Sequence, residues 1–426
     1  MESKEKFICS LPWEHLSVHP HGHASPCCEV DWSSDIAFAK NKINGKYTPG
    51  VLNIDRDGID AVMNSDSYKQ IRKEMLAGEV PTACMTCYNL EQAGGHSKRQ
   101  RERKLSLEHL INITDDEGGI KTNIGNLELR LGNYCNLKCR GCNAESSTSW
   151  ISDYNKLKNK INLPSNYDDI ALGTDSSYDW VEKEEFYESL FKYTDNLHTV
   201  QISGGEPFLV DKHSHFLQLL IDKGTNKNIH ISYITNANYN FDKVAEKFLT
   251  KLMQFKHVSI SISIDDYDKR NTYIRSLSNW NLTIKNLKRY INEYPDFNYS
   301  VTQTISVFNF LYIEELAQFL INEGLMTVNG KGTLFLNDNY LMAPDYQNVN
   351  ILPKEVRQNK IDSIEGKIPT TFFNRLKSNF YNSECNSKAG EFLTTTSAVD
   401  KVRREKVKDT FPELIEIVQA ISNPFI

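Results

Sequence analysis

What this 426-residue chain lacks narrows the reading before any motif is considered. No apolar run approaches the roughly 20 residues that a bilayer-spanning helix needs, so a membrane span is not expected. The opening residues, Met1-Glu2-Ser3-Lys4-Glu5-Lys6, have no apolar signal core, and the expected compartment is the cytoplasm. Basic excess is missing too: 49 Lys and Arg stand against 55 Asp and Glu, a formal charge of −6. A chain-wide polyanion-binding surface is therefore not indicated, although a local basic patch stays open. No repeat of solenoid period is present, and the length suggests two or three domains with ample core. Cysteine is sparse, nine in all, and nine thiols in a reducing compartment read as metal ligands before disulfides.

Three of the nine fall in one short run, Asn133-Tyr134-Cys135-Asn136-Leu137-Lys138-Cys139-Arg140-Gly141-Cys142. Soft thiolates suit iron-sulfur clusters, and a [4Fe-4S] cube normally takes four of them. Three on one loop leave an iron open. A zinc knuckle would close with a fourth Cys or His nearby, and none follows. The spacing, three residues and then two, resembles the radical SAM superfamily, whose open iron binds S-adenosylmethionine (SAM). That resemblance implies reductive cleavage of SAM to a 5'-deoxyadenosyl radical.

About sixty residues on, Val200-Gln201-Ile202-Ser203-Gly204-Gly205-Glu206-Pro207 reads as a buried strand entering a glycine turn. Glycines allow close backbone approach to a ligand, and Glu206 has the charge to accept from an ammonium. The turn lies one strand after the cysteine loop, where the radical SAM family carries its SAM-amino motif. Gly204, Gly205, Glu206 and Pro207 are accordingly expected to bind SAM.

Strand-like runs alternate with helical ones from Leu127 to about Phe335, the pattern of an α/β chain with a parallel sheet or barrel. Candidate strands are Leu127 to Leu131, Thr199 to Ser203, Ile229 to Thr235, Val258 to Ile264, Tyr299 to Ser306 and Thr333 to Leu336. Six of them suit a partial (β/α)6 TIM-type barrel. Phe241 to Phe255 and Tyr312 to Glu323 have helical spacing of apolar residues. The acidic, tyrosine-rich stretch from Tyr167 to Asp195 reads as an extended, solvated first crossover. By analogy with barrels, strand ends carry ligand contacts. Thr235 and Asn236 after the third strand, Ser263 in the fourth and Asn309 after the fifth are expected on the ribose and adenosine side, with turn chemistry as the plain alternative. The family usually has a bulky residue before the third cysteine. Gly141 stands there instead, so adenine packing must come from elsewhere.

Upstream, Cys9 is followed by twelve residues, Gly22, four more and Cys27, and Cys84 and Cys87 form a C-x-x-C loop. This resembles the twitch and SPASM auxiliary-cluster domains, with Pro20-His21-Gly22-His23 as the hairpin turn. Cys9, Cys27, Cys84 and Cys87 together could close one auxiliary [4Fe-4S] cluster, and a structural zinc would use the same four. The family usually places this module after the barrel; here it precedes it. Cys28 is the fallback for Cys27, Cys385 is left over, and His15, His19, His21 and His23 are expected to pack in the hairpin. Ser97-Lys98-Arg99-Gln100-Arg101-Glu102-Arg103-Lys104 is the strongest basic run, read as a solvated face or, alternatively, as a phosphate-binding patch.

The organisation that follows is an auxiliary module and linker over 1–120, a radical SAM barrel over 121–340 and a helical extension over 341–426 that closes the barrel edge or recognises substrate. The resemblance implies hydrogen abstraction from a peptide or protein, with an electron donor such as flavodoxin or ferredoxin as partner and no membrane. The alternatives are a nucleoside, tRNA or small-metabolite substrate, and a non-catalytic iron-sulfur or zinc scaffold.

Overall fold

Among the residues that the structure, a computed structural model, describes (7–102, 105–161, 176–327, 334–379 and 386–422), ten strands form. They are β1 (His15–Val18), β2 (Ala24–Ser25), β3 (Lys42–Ile43), β4 (Lys46–Tyr47), β5 (Asn126–Leu131), β6 (Thr199–Gly204), β7 (His230–Thr235), β8 (His257–Ser263), β9 (Asn298–Ile305) and β10 (Leu334–Tyr340). The chain divides into two units: Met1–Gly132, Ser176–Ser232 and Ala245–His257 in the first, and Asn133–Asp175, Tyr233–Val244 and Val258–Ile426 in the second.

In the first unit the strand order is β2-β1-β5-β6-β7. Leu127, Leu129, Leu131, Val200 and Ile202 are fully buried, because alternate side chains of β5 and β6 turn to the core. β1 runs parallel to β5, with Leu16 opposite Leu127 and Val18 opposite Leu129, so the cysteine-rich segment extends the barrel sheet at the β5 edge. β2 returns antiparallel to β1. The turn between them needs glycine: Gly22 has φ +80°, and a Cβ there would lie 2.7 Å from the Asn53 amide. Helix Asp66–Ala77 places Tyr68, Ile71, Arg72 and Met75 on one buried face and ends at left-handed Gly78. Arg72 is buried yet satisfied, donating to the carbonyls of Pro12 (3.0 Å), Gly118 (2.7 Å) and Met63. One guanidinium thereby fastens three segments of the first unit.

In the second unit the order is β7-β8-β9-β10. β9 shows period two: Tyr299, Val301 and Ile305 are buried, while Ser300, Thr302 and Thr304 are half-buried. Its neighbours are parallel, Ser263 opposite Thr302 in β8 and Asn337 opposite Thr302 in β10. Helices Trp280–Glu293, capped by Asn279, and Ile313–Asn322 follow β8 and β9. Helices Lys354–Ile364, Thr370–Asn379, Ala389–Arg403 and Pro412–Ser422 form the extension.

All six expected barrel strands are present, and their α/β succession is that of a partial TIM-type barrel. Three readings change. β10 continues to Tyr340, because Asn337, Asp338 and Asn339 stay paired with β9 despite their turn propensity, while Thr333 lies outside the described residues. The helix over 241–255 contains a π-helical turn, Ala245–Leu249. The described part of the acidic crossover is not a solvated face: Tyr178, Trp180, Phe186, Tyr187 and Leu190 are buried, with the acids on the opposite side of helix Glu184–Phe191. Trp180 Nε1 donates to the Pro20 carbonyl at 2.9 Å.

Candidate iron-sulfur and SAM sites

The loop after β5 is built to hold thiols. In the second unit, Cys135 Sγ accepts from the Leu137 amide at 3.4 Å and lies 3.9 Å from Asn236 Nδ2. Asn236 also donates to Asn136 Oδ1 at 2.8 Å. Thr148 and Ser149 hydroxyls donate to the Cys135 carbonyl at 3.3 and 2.8 Å, Ser147 Oγ to that of Leu137 at 2.5 Å, and Trp150 Nε1 to that of Cys139 at 2.8 Å. The backbone on either side of Cys139 is pinned as well: Lys138 N donates to Ser276 O at 3.1 Å and Arg140 N to Ile274 O at 2.7 Å. Burial pushes the Cys142 thiol up to about 12, with Cys139 and Cys135 adding to the shift. Burial also raises Cys139, against the pull of Arg275. Cys139 and Cys135 both act on Cys142, so the three free thiols lie near one another, a donor set that suits iron once deprotonated.

The C-terminal extension holds this loop. Arg140 donates to Asp400 Oδ1 and Glu405 Oε2, each at 2.5 Å, and its guanidinium lies 3.6 Å from the centroid of the Tyr273 ring. Arg403 Nε donates to Asp153 Oδ2 at 2.7 Å, and Lys138 Nζ reaches the same carboxylate at 3.0 Å. Val399 joins Trp150, Tyr154 and Leu157 in one apolar cluster. The Gly141 site faces Leu341: a Cβ there would lie 3.1 Å from Cδ1 of that side chain. Tyr273, Leu341, Val399, Asp400, Arg403 and Glu405 are more than a hundred residues from the loop in sequence, and no local pattern marks them.

Other expected nucleoside-side residues are placed as follows. Thr235 is buried, with Oγ1 3.1 Å from Tyr239 OH and accepting from Ala237 N. Ser263 is half-buried in β8. Asn309 is fully buried and donates to the carbonyls of Asp265 (2.6 Å) and Thr304 (2.8 Å), while its oxygen accepts from Ser306 N. Both of its donor bonds go to backbone carbonyls, the turn role named as its plain alternative.

In the first unit, Gly204 closes β6 at φ +135°, and a Cβ would lie 2.5 Å from Leu131 N. Gly205 N donates to Gly132 O at 3.2 Å. Glu206 is fully buried, its Oε1 accepting from Phe208 N at 3.3 Å at the start of the short helix Pro207–Leu209. The turn is therefore locked to the last residue before the cysteine loop.

The same unit gathers the other thiols. Cys9, Cys27, Cys84 and Cys87 line one small, largely apolar cavity together with Lys98 and Arg99. Burial pushes Cys9 up to about 12 and raises Cys27 and Cys84, each further raised by neighbouring thiols of the set. Cys28 turns elsewhere: burial and Glu128 push it up to about 11, and it is hydrogen-bonded to Glu128 and Lys98. Of the two adjacent thiols, Cys27 is the one that lines the cavity. Among the described residues no three His, Cys, Asp or Glu side chains are grouped for a single metal ion. His21 and His23 stack edge to face at the hairpin turn, ring centroids 4.0 Å apart. Cys385 lies outside the described residues.

The basic run is corrected by the structure. Lys98 and Arg99 are only 20% and 12% exposed, and they pair with Glu102 and Glu91. Arg101 is exposed; Arg103 and Lys104 lie outside the described residues.

Comparison with known proteins matches residues 129–320 to the Radical SAM superfamily and residues 9–88 to the SPASM iron-sulfur cluster-binding domain. A curated relative, an uncharacterized protein of Methanocaldococcus jannaschii, is 25% identical over 209 residues, 48% of this chain and 60% of that protein. The chain thus spans about three fifths of the curated relative it matches. Among solved structures, anSMEcpe with bound AdoMet is 13% identical with a TM-score of 0.39, covering 62% of this chain and 64% of that one. Streptococcus suis SuiB bound to precursor peptide SuiA is 17% identical with a TM-score of 0.37, covering 70% and 59%.

Proposed function

We propose that this chain, which matches the Radical SAM superfamily over 129–320 and the SPASM iron-sulfur cluster-binding domain over 9–88, is an enzyme that abstracts hydrogen from a peptide or protein substrate. The observation that carries the reading is the presence of two distinct thiol sets, three on one loop and four lining one cavity. In this reading Cys135, Cys139 and Cys142 hold the [4Fe-4S] cluster that binds SAM, and Cys9, Cys27, Cys84 and Cys87 hold an auxiliary one. When bound, the cluster and SAM supply a 5'-deoxyadenosyl radical, the hydrogen-abstracting agent.

The chain's own residues do the holding. Thr148, Ser149, Trp150 and the 274–276 backbone fix the loop so that the three thiols stay together. Glu206 is proposed to take the SAM ammonium, with Gly204, Gly205 and Pro207 shaping the turn around it. Asn236, beside Cys135, and Thr235 and Ser263 are proposed for the nucleoside side. The auxiliary cluster is proposed to exchange electrons during turnover, with a flavodoxin or ferredoxin as external donor.

A peptide is favoured over a polynucleotide because Lys98 and Arg99, the heart of the basic run, are only partly exposed and are paired with acids. No helix among the described residues is long and apolar enough to cross a membrane. The test is anaerobic incubation with dithionite, SAM and a peptide library, read by mass change and by 5'-deoxyadenosine. Turnover stimulated by a peptide supports the reading; stimulation by tRNA or nucleosides alone overturns the substrate class.

A further inference from the structure

The basic segment at 97–101, of which Lys98 and Arg99 line the auxiliary thiol cavity, has been given no role so far. Ser97 starts its single helical turn with a reciprocal cap, its side chain accepting from Gln100 N while the Gln100 side chain accepts from Ser97 N. From this turn Arg99 reaches two cysteine-bearing segments. Its Nε donates to Glu91 Oε1 at 3.0 Å and a second guanidinium nitrogen pairs with the same carboxylate; Glu91 lies one helical turn after Cys87 in helix Met85–Gln92. Its Nη1 donates at 3.2 Å to the carbonyl of Ile8, the residue before Cys9. The guanidinium also lies 5.6 Å from the ring centroid of Phe7, which packs on Tyr88, the residue after Cys87. Lys98, next to it, pairs with Glu102 at 3.3 Å.

We propose that Arg99 is a positioning residue for the auxiliary cluster: it ties the Cys9 segment to the Cys87 helix and places a permanent positive charge on the cavity wall. Only arginine does both. Its planar fork holds Glu91 and still spares a donor for Ile8, which a lysine ammonium cannot reproduce. The charge favours the more electron-rich state of whatever the four thiolates hold, because a cation in a low-dielectric wall stabilises added negative charge.

The inference rests on the auxiliary-cluster reading and is tested on the full-length holoprotein by EPR-monitored redox titration, in wild type, R99Q and R99K. The cluster whose signal responds to SAM is assigned to the loop, the other to the auxiliary module. R99Q is expected to shift the auxiliary midpoint to more negative potential and leave the SAM-responsive cluster unchanged. R99K is expected to keep the midpoint near wild type while losing iron to a chelator faster, since the charge remains and the fork does not. An R99Q midpoint equal to wild type, or an R99K iron-loss rate equal to wild type, overturns the proposal while leaving the cluster reading intact. Absence of any second cluster in wild type overturns both.

Discussion

Arg140, which sits between the second and third cysteines of the loop, is bound to Asp400, 260 residues further along the chain, at 2.5 Å. The helix Ala389–Arg403 is therefore part of what holds the loop in shape. Asp400→Ala leaves a buried guanidinium with Glu405 and the Tyr273 carbonyl, and breaking a buried pair this way costs about 3 kcal/mol. Urea denaturation of the iron-free protein measures the loss, and iron retention on the loop should fall with it. Asp400→Asn, which keeps an acceptor, should lose less.

Two glycines beside the site make opposite predictions. Gly204→Ala forces a Cβ to 2.5 Å from the backbone of Leu131 at a φ that L residues rarely adopt, so destabilisation of several kcal/mol, on the order of 4, is expected. Gly141→Ala meets only the flexible end of Leu341 at 3.1 Å and should cost under about 1.5 kcal/mol. Thermal melts of the two variants distinguish them directly.

Glu206→Ala should weaken SAM binding by roughly 1.5–3 kcal/mol, the worth of a hydrogen bond to a charged group, without removing iron. Because Glu206 also accepts from Phe208 N, a control belongs beside it: Glu206→Gln keeps an acceptor for that amide but loses the charge. Equal SAM affinity in wild type and Glu206→Gln would show that the carboxylate charge is not used.

Acid sensitivity has a local cause. Burial lowers His213 and His15 to about 3, below their ordinary 6.5, and His213 stacks on Phe248 with its Nδ1 2.5 Å from the Val210 carbonyl. A histidine depressed in the folded state contributes stability that is full above pH 6.5 and is lost as pH falls toward 3. Unfolding free energy measured between pH 7 and 4 should therefore decline, and His213→Gln should flatten the slope. An unchanged slope would assign the acid sensitivity elsewhere.

Neutralising Lys98 and Arg101 should leave any tRNA affinity of the protein unchanged in its salt dependence, since Lys98 is already paired with Glu102. A steep salt slope in wild type that is lost in this variant would restore the polynucleotide substrate.

The parts legible in sequence were those written in contiguous residues. The cysteine run, the Gly-Gly-Glu-Pro turn and six barrel strands follow from local pattern, and the family match at 129–320 and 9–88 agrees with the motifs. What escaped depends on contacts across the chain. Arg140 with Asp400, Arg403 with Asp153 and the 138–140 backbone against 274–276 carry no local signature. Lys98 and Arg99 read as solvated because charge runs usually are, and only the fold shows them turned onto Glu102 and Glu91. The polarity that placed Asn309 among the ligand contacts also serves its own loop, which the sequence could not show.

The account's central claim is that two thiol sets hold two clusters, of which one cleaves SAM. Iron, sulfide and 5'-deoxyadenosine measured on anaerobically reconstituted protein test it most directly, in wild type and in the triple variant Cys135→Ala, Cys139→Ala, Cys142→Ala. Wild type should hold about eight irons and convert SAM to 5'-deoxyadenosine under dithionite, while the triple variant should keep about four irons and form none. A triple variant that still cleaves SAM, or a wild type that holds only about four irons with zinc in the remaining thiols, would contradict it.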